Sequence, residues 1–226
     1  MEPLDNPVWH ALTGPHAQFS EGNSLALRYQ PDVAAFSALP DEPGVDAWNA
    51  LAALVGPGGA AVIFRPSPLA IPSGWVVPIR MDTLQMVATE KFGEPDPTFS
   101  RLGAGDVDEM FGLVERTRPG PFAQRTVELG TYLGLRSDAN RLVAMAGERV
   151  HPAGYTEISA VCTDAEVRKH GLATRLMRAV AAGIEARCET AMLHVLSENH
   201  SAIRVYEALG FEVRASFETI IVQAPT

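Results

Sequence analysis

The residues best equipped for chemistry lie in one run, Arg168-Lys169-His170-Gly171-Leu172-Ala173-Thr174. The stretch before it, Tyr155–Thr163, contains Ile158, Ala160, Val161 and Cys162, a mostly apolar run of strand length. After it, Leu172, Leu176, Ala179, Val180 and Ile184 recur at helical spacing. A strand therefore feeds through a glycine-containing turn into a helix. The first turn of a helix has amides with no partner inside it, and the helix dipole adds positive potential there. Such a junction suits an anion. Neither Gly171 nor Ala173 carries a bulky side chain, so a pyrophosphate could approach the backbone. Arg168, Lys169, His170, Arg175 and Arg178 add a basic island at the same place.

Composition narrows what that anion can be. The chain has 226 residues, enough for one large domain or two small ones. Hydrophobic residues make up 46% and charged residues 20%, which excludes a disordered polar chain. The formal net charge of -9 argues against a nucleic-acid surface. A local basic island on an acidic chain points instead to a small polyanionic ligand. No apolar run reaches transmembrane length, and Met1–Asp5 lacks the basic region of a signal peptide, so no membrane partner and a cytoplasmic location are expected. Cys162 and Cys188 are too few for a disulfide framework, and their spacing fits no metal motif, so no metal is expected.

The elements that must position these residues alternate between strand and helix. Over residues 1–90 the pattern predicts a helix at Pro7–Leu12, strands at Ser24–Tyr29 and Val33–Leu39, and a helix at Val45–Val55. Strands follow at Ala60–Phe64, Trp75–Met81 and Leu84–Ala88. Thr89–Pro97 is polar and holds two prolines, which reads as a linker or boundary. Beyond it come a strand at Thr98–Leu102, a helix from Asp106 to Thr117, and a short helix between Ala123 and Leu129. Strands at Thr131–Ser137 and Arg141–Val150 then precede the central strand and helix. Ala191–Leu196, Ser201–Leu209 and Glu212–Val222 follow as strand, helix and strand. This is an α+β domain, layered as in α/β proteins.

At this point the residues resemble the GNAT superfamily of acyl-CoA N-acyltransferases, over about residues 98–222. The family's Gln/Arg-x-x-Gly-x-Gly/Ala loop is matched by Arg168, Gly171 and Ala173. A second signature, Asn-x-x-Ala-x-x-x-Tyr-x-x-x-Gly-Phe, is matched by Asn199, Ala202, Tyr206, Gly210 and Phe211. The resemblance implies a GNAT-like fold with a splayed central mixed sheet in a domain covering 98–226. It implies acetyl-CoA as co-substrate, with pantetheine along Val161-Cys162-Thr163 and pyrophosphate on the amides of Lys169, His170, Gly171, Leu172, Ala173 and Thr174. Asn199 resembles the asparagine that contacts the cofactor. Tyr206 resembles the tyrosine whose hydroxyl can protonate the leaving thiolate. Residues 1–90 lie outside the match and could be a degenerate GNAT-like half that covers the cleft, shapes the acceptor pocket or supports a homodimer.

The implied chemistry asks for a base. A primary amine with a pKa of ~10.4 is protonated at neutral pH and must lose a proton before attacking a thioester. Glu157, on the central strand, is the candidate, as a glutamate occupies the corresponding place in several GNAT enzymes. Strand alternation puts Glu157, Ser159, Val161 and Thr163 on one face, toward the cleft. His194, on the next strand, is a second titratable group that could face the cleft, though it reads first as a core or cap residue. Cys162 would suggest an acyl-cysteine route, but the family resemblance implies direct transfer in a ternary complex. The reading is therefore an N-acetyltransferase acting on a small amine, amino acid or peptide N-terminus. The alternative is an acyl-CoA-binding sensor without turnover. The acidic net charge favours a cationic acceptor through steering.

Overall fold

The computed structural model describes residues 2–66 and 68–226. Helices α1 (Pro7–Leu12) and α2 (Val45–Val55) and strands β1 (Ser20–Asn23), β2 (Ala26–Tyr29), β3 (Phe36–Ala38), β4 (Ala60–Pro66) and β5 (Val76–Ala88) make the N-terminal half. Strand β6 (Ser100–Leu102), helix α3 (Val107–Thr117), β7 (Tyr132–Arg136), β8 (Leu142–Glu148), β9 (Tyr155–Thr163), α4 (Leu172–Ala186), β10 (Thr190–Leu196), α5 (His200–Ala208) and β11 (Phe211–Gln223) make the rest. The short helix expected near Ala123–Leu129 is a single 3-10 turn, Thr126–Leu129, pinned by the Thr126 hydroxyl donating to the Val33 carbonyl.

All eleven strands join one sheet in the order β1-β2-β3-β4-β11-β5-β10-β9-β8-β7-β6. The order has an internal symmetry. On one side β1, β2 and β3 pair antiparallel, β3 runs parallel to β4, and β4 pairs antiparallel with β11. On the other side β7, β8 and β9 pair antiparallel, β9 runs parallel to β10, and β10 pairs antiparallel with β5. Each parallel pair is joined by a crossover helix, α2 or α4, as parallel pairing requires. The halves exchange their last strands. β5 lies beside β10, β11 lies beside β4, and β5 and β11 pair with each other.

The expected linker at 89–97 is not one. Its backbone lies against α4, where the Phe92 and Gly93 amides donate to Glu185 Oε1 at 2.8 and 2.9 Å. A side chain at Gly93 would come within 2.5 Å of the Ala182 amide nitrogen, which is why glycine stands there. With β5 inside the sheet beyond it, the segment is a strap and not a boundary.

The core follows from helical stripes laid on this sheet. Leu172, Leu176, Ala179, Val180 and Ile184 of α4 pack on Ala144, Ile158, Ala191 and Leu193. Burying each large aliphatic side chain contributes about 1.5–3 kcal/mol. Met110 and Leu113 of α3 cover the opposite face with Tyr132, Met145 and Cys162. In the N-terminal half α2 packs Trp48 and Leu51 on Ile63 and Ile220, while α1 packs Val8 and Leu12 near Tyr29 and Phe36. Among the described residues no helix is long and apolar enough to cross a membrane.

Candidate active site

The site begins where β9 and β10 part. Their parallel pairing covers only Tyr155, Thr156 and Glu157 against Thr190, Ala191 and Met192. Past Glu157 the two strands diverge, β9 staying with β8 and β10 with β5. One backbone edge of β9 from Ile158 onward is thereby left without a strand partner. A bulge sits on the other edge. Ala160 adopts φ 52, and two residues, Ala160 and Val161, face one on β8 between Met145 and Gly147. The bulge breaks the expected alternation. Val161 packs with Ile158 on the α4 side, so it does not share a face with Glu157.

The loop after β9 prepares an anion site. Lys169 and Gly171 take the left-handed conformation at φ 68 and 70, turning the chain sharply into α4, and Gly171 is the N-cap. The first carbonyl-bonded amide at this helix start is that of Arg175, to the Gly171 carbonyl at 3.0 Å. The amides of Lys169 through Thr174 meet no acceptor among the described residues, which leaves them for a ligand. Arg168 folds back, its Nε donating to the Thr163 carbonyl at 3.2 Å. Arg175 and Arg178 are less available. Arg175 is held by Asp96 at 2.7 Å, and Arg178 reaches the Phe92 carbonyl on the strap.

A cavity of about 750 Å³ fills the parting. Val161, Cys162 and Thr163 line it from β9, Arg168 and Ala173 from the anion loop, and Asn199 and Tyr206 from α5. Asn199 has a structural duty, its Oδ1 accepting from the Ala202 amide at 3.2 Å as the N-cap of α5. Its amide nitrogen has no partner among the described residues. The Tyr206 hydroxyl has no partner among the described residues, and burial pushes its pKa above the usual phenol value, so it stays protonated. Burial also pushes the Cys162 thiol up to about 11, which makes it an unreactive thiol at neutral pH.

Glu157 does not line this cavity. Its side chain is 1% exposed and stands behind two residues that do line it, Arg149 and His194. Arg149 Nε and Nη2 donate to its two oxygens at 2.9 and 2.7 Å, and His194 Nδ1 lies 2.9 Å from Oε1. Burial alone would raise the carboxyl, but Arg149 and His194 outweigh it and hold Glu157 well below the usual carboxylate range. On the far side of the ring, Gln85 Nε2 lies 3.1 Å from His194 Nε2. Because Gln85 Oε1 accepts from Arg214, its Nε2 must be the donor. His194 therefore carries its proton on Nδ1, donated to Glu157. The side chain of His194 is only 4% exposed, as in a core histidine, and it also stands on the cavity wall, the other place its sequence position allows.

Sequence reasoning overlooked Arg149 and Gln85. Arg149 directly follows β8, whose residues Leu142–Gly147 are all small or apolar, and the charged pair Glu148-Arg149 at its end was the available signal. The acceptor end of the cavity was legible only in part. Arg118–Pro121 and Thr219 line it, and Phe36, Phe64 and Thr83 join them from the N-terminal half.

A parallel strand pair that opens over a bare helix start is the framework of an acyl-CoA-dependent transferase, and the comparisons agree. The FR47-like protein family model matches residues 132–221. A crystal structure from the GNAT family of acetyltransferases, from Novosphingobium aromaticivorans, is 39% identical over 100% of both chains, with a TM-score of 0.91. The chain belongs to the GNAT family and is an acyltransferase. A GCN5-related N-acetyltransferase from Kribbella flavida, 18% identical, shares the fold over 96% of this chain and 93% of its own, with a TM-score of 0.61. Among curated proteins none matches.

Proposed function

We propose that the protein transfers an acetyl group from acetyl-CoA directly to a primary amine in a ternary complex. The observation that carries this reading is one cavity lined by Val161–Thr163 of the free β9 edge, by Arg168 and Ala173 at the bare α4 start, and by Tyr206; Lys169–Leu172 and Thr174 lie outside its lining. Pyrophosphate would sit on the amides of Lys169–Thr174, and pantetheine would bond the backbone of Val161–Thr163 and the Asn199 amide. That places the thioester between Tyr206 and the acceptor end, where holding amine and thioester together supplies much of the rate. The amine nitrogen bonds to the acyl carbon, the C–S bond breaks, and the thiolate takes the Tyr206 proton.

The amine proton passes to the Glu157–His194 pair. His194 Nε2 receives it as the Gln85 amide gives way, and Glu157 stabilises the imidazolium. Glu157 thus acts through His194 and not as a free carboxylate, which its low pKa would make a weak base. The N-terminal half is a degenerate copy of the same topology that supplies the acceptor wall.

Acetyl-CoA turnover with a panel of amines, followed by thiol release, tests the reading. Tyr206→Phe should lower kcat by about 100-fold with little change in acetyl-CoA affinity. His194→Asn and Glu157→Gln should each lower kcat and change the pH–rate profile. Binding without turnover of any amine would favour the sensor instead. An unchanged profile in both variants would remove the pair from the mechanism.

A further inference from the structure

The cavity's charges point to an acceptor class. Its lining contains Arg118, Arg149 and Arg168 but no aspartate or glutamate. Arg168 sits at the anion loop, so the acceptor end is left with Arg118 and Arg149. Arg149 is the constrained one. Its side chain is only 10% exposed, and it stacks over the Phe36 ring with the guanidinium carbon 4.8 Å from the centroid. Nε and Nη2 are spent on Glu157, while Nη1 has no partner among the described residues. On a side chain otherwise packed away, that nitrogen faces the cavity as a free charged donor, and a carboxylate there would accept from it. The same residue also lines a smaller cavity of about 220 Å³ beyond Phe36, walled by Pro31, Ala34, Phe122 and Ala123.

Resting on the transferase reading above, we propose that the acceptor is an α-amino acid, or a molecule with the same amine-and-carboxylate head. Its carboxylate accepts from Arg149 Nη1, and its apolar side chain lies toward Phe36 and the smaller cavity. The amine, one carbon from the carboxylate, is then directed along the wall toward His194. A di- or polyamine finds no carboxylate in the lining to receive its second charge. This reverses the expectation from net charge, because the charge of the whole chain and that of the cavity wall differ in sign.

The test pairs each apolar proteinogenic amino acid, in both enantiomers, with its primary amide and its decarboxylated amine on the wild-type protein. The amino acid should be favoured over both neutral forms by at least ~30-fold in kcat/KM. In Arg149→Lys, which keeps a cation for Glu157, that preference should fall to within about threefold, mainly through KM. Calorimetry of the same amino acids and amides against the protein saturated with CoA gives a readout independent of turnover. Amides or plain amines used equally well would overturn the inference and leave the transferase reading standing. Absence of turnover with every amine would overturn the transferase reading. Absence of a calorimetric preference for the carboxylate would overturn the inference on its own.

Discussion

The two halves of the sheet contain the same parallel strand pair with the same crossover helix, yet their mouths have opposite fates. In the C-terminal half β9 and β10 part after three paired residues, and the cavity occupies the gap. In the N-terminal half the corresponding mouth is stitched shut. Arg65, near the end of β4, donates to the Pro40 and Asp41 carbonyls beyond β3 at 2.8 and 2.6 Å. Asn6, before α1, fixes the same segment from its other side, donating to the Leu39 carbonyl and to Asp41 Oδ1, both at 2.9 Å. The helix starts differ as well. α4 follows Arg168-Lys169-His170-Gly171, whereas α2 follows Asp41-Glu42-Pro43-Gly44, whose carboxylates would repel a pyrophosphate. Topology alone therefore does not make an acyl-CoA site. The site needs the open strand edge and the charge of the loop together.

The largest expected effect comes from exchanging that charge. Gly171→Glu should weaken acetyl-CoA binding by at least ~100-fold, because it brings a carboxylate to the bare amides and forces a left-handed turn on a residue with a β-carbon. Gly44→Glu at the N-cap of α2 has open space and an ordinary φ of -76, and should leave affinity within about twofold. Calorimetry on both variants makes the comparison. If Gly44→Glu costs as much as Gly171→Glu, the halves are not functionally distinct.

Loosening the closed mouth comes next. Arg65→Met removes two charge-assisted hydrogen bonds to half-buried carbonyls and should cost about 1–2 kcal/mol of stability in urea unfolding. Acetyl-CoA affinity should not change, since the stitch lies outside the open cleft. A large loss of affinity would mean that the two mouths are coupled.

The smallest effect concerns the seam between the halves, where His16 and His151 stack at 4.7 Å. Burial lowers His16 from 6.5 to about 4 and His151 to about 3, so both are neutral in the folded chain at pH 6. The unfolded chain binds those protons below pH 6.5, so folded stability falls as pH drops from there, until each folded value is passed. The loss is roughly 1 kcal/mol per ring at pH 5.5. Glu148 works in the opposite sense, since burial raises its carboxyl, and the stability it adds is lost as pH rises through its folded value. His16→Phe should flatten the slope of unfolding free energy between pH 7 and 5. An unchanged slope would show that the rings are protonated in the folded state.

Much of this site is written locally in the sequence. The anion loop, the N-cap at Asn199 and Tyr206 on α5 depend on neighbours within a turn or two, and both the strand Tyr155–Thr163 and the helix Val45–Val55 stand at the predicted bounds. What was not legible depends on distant partners. Ala160 takes a left-handed bulge that nothing in its own side chain favours, and this alone turns Val161 away from the Glu157 face. The two strands expected at Trp75–Met81 and Leu84–Ala88 are one, β5, continuous through Asp82 and Thr83; Pro78 lies where the register with β11 shifts, so its missing N–H costs no ladder bond. Strand β1, with Glu21, Gly22 and Asn23, has no apolar pattern and is held by pairing with β2. The exchange of β5 and β11 between halves, and the Arg149 clamp on Glu157, join residues that no local rule brings together.

On the proposed function, one of the two topologically matching junctions, the start of α4, takes acyl-CoA and the other does not. Calorimetric titration of acetyl-CoA into the wild-type chain tests it most directly. The account predicts saturable binding with one site per chain. Binding at two sites, or at none, would contradict it.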